Sequence, residues 1–336
     1  MQLVNELNPR IADLLKNSSR PVKIMSLAGD ASTRSYFRSF FSDGSTAVIM
    51  LQANAGENEE EAFVEVHQFL ERLGLPVPGI LGHDPAKSVL LLEDLGDDLL
   101  ETVTARASEK KLFELYSQAV DLLIRIRSLT AGIDSGCKAF GLAFDEEKLM
   151  QEMNFFMAHF VGDFCKNKPS SSAAALLDKF FLQICRFLAA EPRIFTHRDF
   201  HSRNLVLHKN RLVMIDFQDA RMGPAQYDLA SLLRDSYVTL PERLVDRLLD
   251  YYAQESMEKD QGRFRYVFDI MSLQRNIKAL GTFGYQAAIR GSSRYLSSIP
   301  RTGAYIAKNV GSYTEFAQYT GVLEDYIFGP AIGVKA

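Results

Sequence analysis

The apolar positions change their period once along the chain. Up to about residue 95 they alternate or run in short blocks bounded by turn residues, which predicts strands. Lys23–Leu27, Ser35–Phe41, Thr46–Gln52 and Ser88–Leu92 read this way, with Asp43-Gly44 as a hairpin turn between the second and third. One helical pattern interrupts them over Glu59–Leu73, where Phe63, Val66, Phe69, Leu70 and Leu73 share a face. A shorter one over residues 4–16 groups Leu7, Ile11, Leu14 and Leu15. From Leu99 onward the helical period dominates: Leu112–Arg127, Phe144–Phe160, Ala173–Leu188, Ala230–Asp235, Arg243–Gln254, Tyr266–Tyr285 and Thr302–Thr320. Short strand-like blocks flanking Lys209-Asn210 are the exception. The expected architecture is α+β: a small antiparallel-sheet lobe with one main helix over residues 1–95, and a larger, mostly helical lobe over 96–336.

Composition narrows the partners more than the fold. The 336 residues suffice for two packed units. The net charge of -4, with both signs interspersed, argues against nucleic acid and against a polybasic membrane anchor. No run of about 18 apolar residues occurs, and Met1–Asn17 carries charges throughout, so a cytoplasmic protein with no membrane partner is expected. Cys137, Cys165 and Cys185 have no paired spacing and read as buried thiols.

The chemistry concentrates in Phe195-Thr196-His197-Arg198-Asp199-Phe200-His201-Ser202-Arg203-Asn204, followed by Val213-Met214-Ile215-Asp216-Phe217. His-x-Asp-x-x-x-x-Asn is followed, twelve residues after its Asn, by a second Asp behind an apolar block. Phosphoryl transfer from ATP uses such a set, because its loose transition state asks the protein mainly to position groups and neutralise charge. Asp199 would orient the attacking hydroxyl and accept its proton. Asn204 and Asp216 offer the hard oxygens that Mg2+ prefers, and magnesium retains several waters, so two protein ligands suffice.

These positions resemble the catalytic loop and metal-binding Asp of the protein-kinase-like superfamily. The usual Asp-Phe-Gly is Asp216-Phe217-Gln218 here, and no activation segment fits between it and Gly223-Pro224. Tyr227-Asp228-Leu229-Ala230 then opens a helix, as in the aminoglycoside phosphotransferase-like small-molecule kinases. That resemblance implies a two-lobe kinase fold in which Asp228 braces the catalytic loop. It casts His197 as an internal support, and Arg198 as a structural ion-pair partner. Three further stretches are similar to the bacterial anomeric kinases of N-acetylmuramate and N-acetylglucosamine, which act in cell-wall recycling: Leu27–Arg38, Ile215–Ala220, and Gln274–Phe283 with Tyr295-Leu296 and Ile299-Pro300-Arg301. The implied reaction is ATP-dependent phosphorylation of an amino sugar at its anomeric hydroxyl.

In the first lobe, the small-residue loop holding Gly29, Asp30, Ala31 and Ser32 can bring backbone N–H groups close to phosphates. The kinase layout puts the adenine edge at the backbone of Glu93 and Leu95. The third strand, Ala47-Val48-Ile49-Met50-Leu51, lacks the usual phosphate-pairing Lys, so Arg34 or Arg38, on one face of the second strand, is expected to replace it. For the acceptor, Asp219 and Arg275 are the candidate contacts, with Lys278, Arg290, Arg294 and Arg301 completing a basic wall that would suit an acidic sugar. Gly284-Tyr285-Gln286-Ala287 departs from the basic residue usual there, which leaves the sugar open. An aminoglycoside or choline-like kinase of the same fold competes with this reading. So does a catalytically silent nucleotide-binding module, favoured by the missing Lys and opposed by the intact Asp199, Asn204 and Asp216.

Overall fold

A computed structural model describes residues 11, 14, 21–27, 34–52, 59–133 and 136–334. They form two compact units, residues 1–98 with 206–218, and residues 99–205 with 219–336. The second boundary differs from a single break at residue 95. The segment 206–218 is tied to the first unit by backbone bonds from Leu207 N–H to Asp98 and from Met214 N–H to Pro76.

The first unit is built on a five-stranded antiparallel sheet in the order β1-β2-β3-β5-β4. Its strands are β1 (Lys23–Leu27), β2 (Arg34–Phe40), β3 (Thr46–Gln52), β4 (Ile80–Asp84) and β5 (Val89–Glu93). One face carries Ile24, Ala47, Ile49, Leu51, Val89 and Leu91, all buried. Helix α1 (Glu59–Arg72) buries Phe63, Val66, Phe69 and Leu70, four of its five expected apolar positions. The strand β4 is absent from the sequence reading, since Ile-Leu-Gly-His-Asp has one short apolar pair and no alternation. The hairpin of β7 (Leu205–His208) and β8 (Arg211–Met214) turns at Lys209-Asn210, where φ is 49° and 62°. Positive φ at both central residues gives the turn whose twist matches that of paired strands. The expected helix at residues 4–16 lies outside the described residues except for Ile11 and Leu14.

The second unit is helical apart from the pair β6 (Arg193–Thr196) and β9 (Arg221–Pro224), in which Thr196 faces Arg221. Helices α2 (Glu109–Thr130), α3 (Glu146–Phe156), α4 (Ser171–Ala189), α5 (Gln226–Leu233), α6 (Glu242–Glu255), α7 (Gln261–Ala288) and α8 (Ile299–Ser312) make up its body. Two expectations change. The pattern over Phe144–Phe160 is α3 followed by a widened π-helical stretch, Met157–Phe164. The expected helix over Thr302–Thr320 stops at Ser312. Tyr313 turns extended there (φ -127°) and gives its hydroxyl to Asp269 Oδ2 at 2.7 Å, and a 3-10 turn continues over Thr314–Tyr319.

The long central α7 carries the residues that reach the site, and two glycines set its distance from α3 and the π-helical stretch. A Cβ on Gly281 would stand 2.8 Å from the Cα of Phe156. On Gly284 it would stand 2.6 Å from the Cα of Phe160 and 2.7 Å from the His159 carbonyl oxygen. These neighbours are backbone and cannot rotate away. Gly284→Ala is expected to destabilise the protein by about 1–3 kcal/mol, the usual overpacking cost. Chemical denaturation of variant and parent checks this.

Candidate active site

The loop 197–204 leaves β6 and is held in a conformation that its sequence does not favour. Arg198 has φ +82°, in the region that L residues avoid. Both sides of this residue are fixed from elsewhere in the unit. Asp228, in the first turn of α5, accepts the N–H groups of His197 (2.6 Å) and Arg198 (2.9 Å) through its two oxygens. Arg275 of α7 donates to the Arg198 carbonyl at 2.7 Å, and its guanidinium lies 4.6 Å from the Tyr227 ring centre. Burial pushes the Asp228 carboxyl up, and the charges of His197 and Arg275 and the two N–H donors pull it back only partly. The Arg198 side chain pairs with Asp219 Oδ2 at 2.9 Å.

Asp199, the next residue, keeps 23% of its side-chain exposure. Its Oδ1 accepts from Lys278 Nζ at 3.1 Å, and its Oδ2 stands 4.0 Å from Arg198 Nε. Burial pushes the Asp199 carboxyl up, but Lys278, Arg198 and Arg275 outweigh it and hold the group well below the usual carboxylate range. The result is an ionised carboxylate with one oxygen committed to Lys278. His201 is pushed down to about 3 by burial, against the pull of Asp199, so it is neutral near pH 7. Asn204 is buried, and its Nδ2 donates to the Asp199 carbonyl at 2.9 Å. That bond fixes which end of the amide is nitrogen and turns the oxygen the other way. The buried His197 ring meets Phe200 edge-on at 5.7 Å.

The far end of the loop has a second set of supports that sequence reasoning missed. Asp235 accepts Ser202 N–H at 2.9 Å and Tyr237 N–H at 2.7 Å. Arg203 grips Glu101 with two bonds, at 2.7 and 3.0 Å, and stacks on Tyr237 with its guanidinium carbon 3.7 Å from the ring centre. Asp235 follows Asp228 by seven residues, about two turns on, and lies just past the end of α5. That i, i+7 spacing behind the loop was the available signal. Burial raises the Asp235 carboxyl to about 6. A carboxyl raised in the folded state binds its proton more tightly there than in the unfolded chain. Its contribution to stability is therefore present at low pH and lost as pH rises through about 6. The excess of wild-type over Asp235→Asn thermal stability is expected to shrink between about pH 4 and 6 and to level off above pH 7.

The first unit holds Asp216 at φ +63°, a second non-glycine residue in the left-handed region. Its Oδ1 accepts from Gln218 Nε2 at 2.9 Å. Phe217 beside it is fully buried and stacks on Phe63 of α1 at 4.9 Å, with the His67 ring 6.1 Å away. Arg34 is buried at the start of β2, opposite Gln52. The hydroxyl of Tyr36, two residues on, is pushed up by burial, pulled down by Arg34 and raised by Asp216, so these three side chains share one neighbourhood. Arg38, the other candidate cation, is committed to Asp94 at 2.7 Å and Asp97 at 2.8 Å. The Glu93 N–H bonds Gly79, and the Leu95 carbonyl accepts from His208 Nδ1 at 3.0 Å. Gly29, Asp30, Ala31 and Ser32 lie outside the described residues.

A model described as "Phosphotransferase enzyme family" matches residues 23–265. The chain is 29% identical over 305 residues to an N-acetylmuramate/N-acetylglucosamine kinase of Pseudomonas aeruginosa, covering 89% of this chain and 87% of that one. It is 28% identical over 307 residues to a kinase of the same name from Neisseria meningitidis, covering 89% of each. Among solved structures, the ADP-bound aminoglycoside phosphotransferase APH(2'')-Ib superposes with a TM-score of 0.61 at 15% identity, covering 91% of this chain and 96% of that one. Choline kinase from Cryptosporidium parvum gives 0.62 at 12% identity, covering 96% and 97%. Among the described residues no helix is long and apolar enough to cross a membrane. With the family model spanning residues 23–265 and named kinases matching most of its length, the chain belongs to the phosphotransferase enzyme family and is an enzyme that transfers phosphate to a hydroxyl group.

Proposed function

We propose that the protein transfers the γ-phosphoryl of ATP to the anomeric hydroxyl of an amino sugar, N-acetylmuramate or N-acetylglucosamine. The observation that carries this reading is the ionised Asp199 carboxylate, fixed at one oxygen by Lys278 and presented by a loop braced at Asp228 and Arg275. The sugars come from the names of the kinases in Pseudomonas aeruginosa and Neisseria meningitidis.

The acceptor hydroxyl donates to Asp199 Oδ2. Its oxygen forms a bond to the γ-phosphorus as the bond to the β–γ bridging oxygen breaks, and that electron pair leaves with ADP. The hydroxyl proton passes to Asp199. A carboxylate held this far down is a weak base, which suits an anomeric hydroxyl, since the ring oxygen makes a hemiacetal more acidic than the other sugar hydroxyls. A loose transition state also asks less of the base than of positioning. Asp219, with 54% of its side chain exposed, lines the acceptor side.

Asn204 and Asp216 would hold magnesium. The donor set fits: one amide oxygen and one carboxylate are hard ligands, and magnesium bound to a nucleotide retains waters and phosphate oxygens. The described residues hold no cluster of three or more His, Cys, Asp or Glu side chains, so a site built wholly from such ligands is not what they offer. The bound ion would neutralise phosphate charge. In the first unit Arg34 takes the place of the strand Lys toward the phosphates, and the backbone at Glu93 and Leu95 meets the adenine edge. Gly29–Ser32 would cover the phosphates. The reaction uses only small substrates and is expected in the cytoplasm.

A coupled ADP-release assay over a panel of amino sugars, aminoglycosides and choline tests the reading. Acceptor-dependent turnover with N-acetylmuramate or N-acetylglucosamine is expected. Turnover confined to aminoglycosides or choline, or ADP release that no acceptor stimulates, would contradict it.

A further inference from the structure

The stretch Gln274–Phe283 stands out in the sequence, and α7 shows what it does. Arg275 and Lys278 are one turn apart on the same side of that helix, and both reach the catalytic loop. Arg275 is spent on the Arg198 carbonyl and the Tyr227 ring. Arg198 pairs with Asp219 through one terminal nitrogen, and its Nε stands 4.0 Å from Asp199 Oδ2, beyond a hydrogen bond. The His201 ring meets Tyr237 edge-on at 5.2 Å. Lys278 has donors to give and is the one of these cations hydrogen-bonded to the Asp199 carboxylate: among the described residues its ammonium has one side-chain acceptor, Asp199 Oδ1, for three N–H groups. Its side chain is only 18% exposed, which weakens screening by water.

We propose that Lys278 is the catalytic cation for the transferred phosphoryl group, approaching from the helical unit. This rests on the reading that Asp199 receives the acceptor hydroxyl. The attacking oxygen then lies within a hydrogen bond of Asp199, and the phosphoryl group lies directly beyond it. An ammonium 3.1 Å from Asp199 Oδ1 reaches that place with its remaining N–H groups. In the transition state, charge spreads over the equatorial oxygens of the phosphoryl group, where a preorganised cation acts most strongly. The same contact holds Asp199 Oδ1, so that Oδ2 faces the acceptor.

The test compares Lys278→Met and Lys278→Arg with the parent protein in turnover and in trapping by ADP, magnesium and aluminium fluoride, a mimic of the phosphoryl in flight. The expected result for Lys278→Met is a kcat lower by about 10²- to 10³-fold, as on removal of one transition-state donor. KM for ATP and acceptor should stay near parental values, and the fluoride complex should weaken by a similar factor. Lys278→Arg should recover about tenfold or more by restoring the charge. Full turnover in Lys278→Met would overturn the proposal. So would lost turnover with fluoride trapping intact, because that pattern belongs to a residue that only supports the loop. Acceptor-independent ATP hydrolysis, followed in parallel, probes the same phosphoryl with water as acceptor. It therefore tests Lys278 even where the parent protein rejects both sugars, the outcome that would defeat the sugar assignment alone.

Discussion

Replacing Asp199 by Asn is expected to lower kcat by about 10²- to 10⁴-fold, the range for loss of a positioned general base. Nucleotide affinity should stay near the parental value. Two features make this the sharpest single substitution. The amide preserves the size of the side chain, so the loop has no cavity to fill. It also removes the charge that Lys278 and Arg198 now neutralise, leaving two cations facing a neutral group. Some loss of stability accompanies this, and equilibrium nucleotide binding by the folded variant separates it from the catalytic defect. Asp199→Asn with normal turnover would remove Asp199 from the chemistry.

The second large effect is expected at Asp228. Asp228→Ala strips the acceptor from two backbone N–H groups, His197 and Arg198, that bond it at 2.6 and 2.9 Å. A hydrogen bond to a charged partner contributes about 1.5–3 kcal/mol, and a buried donor left without an acceptor costs about 1–3 kcal/mol. A net loss of about 3–5 kcal/mol is the expected sum, after allowing for the ionisation cost that burial already imposes on this carboxyl. The strained Arg198 backbone then relaxes and Asp199 moves with it. A displacement of about 1 Å at a reacting group can cost about 10²-fold in rate. Denaturation midpoints and kcat measured on the same preparation should fall together. Asp228→Asn, which keeps one acceptor oxygen, should fall between parent and Ala.

Local patterns announced much of this. The strands β1, β2 and β3 and helix α1 follow from period and turn residues, because each buries one face against a neighbour close in sequence. The turn at Lys209-Asn210 was legible for the same reason. The catalytic spacing in 197–204 was legible because the loop has to place Asp199 and Asn204 at a fixed offset along one short segment. What escaped depends on distant packing. β6 pairs with β9 across more than twenty residues, through strands of four residues too short to show a period. The π-helical stretch after α3 lies where Gly281 and Gly284 admit a neighbouring backbone, a fact of fit rather than of pattern. Arg275 was expected at the acceptor and is found gripping the loop backbone, and Arg38 was a candidate for the phosphates and is found between two aspartates. In both cases the sequence shows the cation but not which oxygen it meets.

The identity of the phosphorylated product is the most direct test. N-acetylmuramate and N-acetylglucosamine are each incubated with the protein, ATP and magnesium, and the product is read by phosphorus NMR alongside a reducing-end assay. Transfer to the anomeric hydroxyl predicts a phosphorus resonance coupled to the anomeric proton, together with loss of the reducing end in step with ADP release. A phosphorylated sugar with its reducing end intact, or no phosphorylated sugar at all, would contradict it.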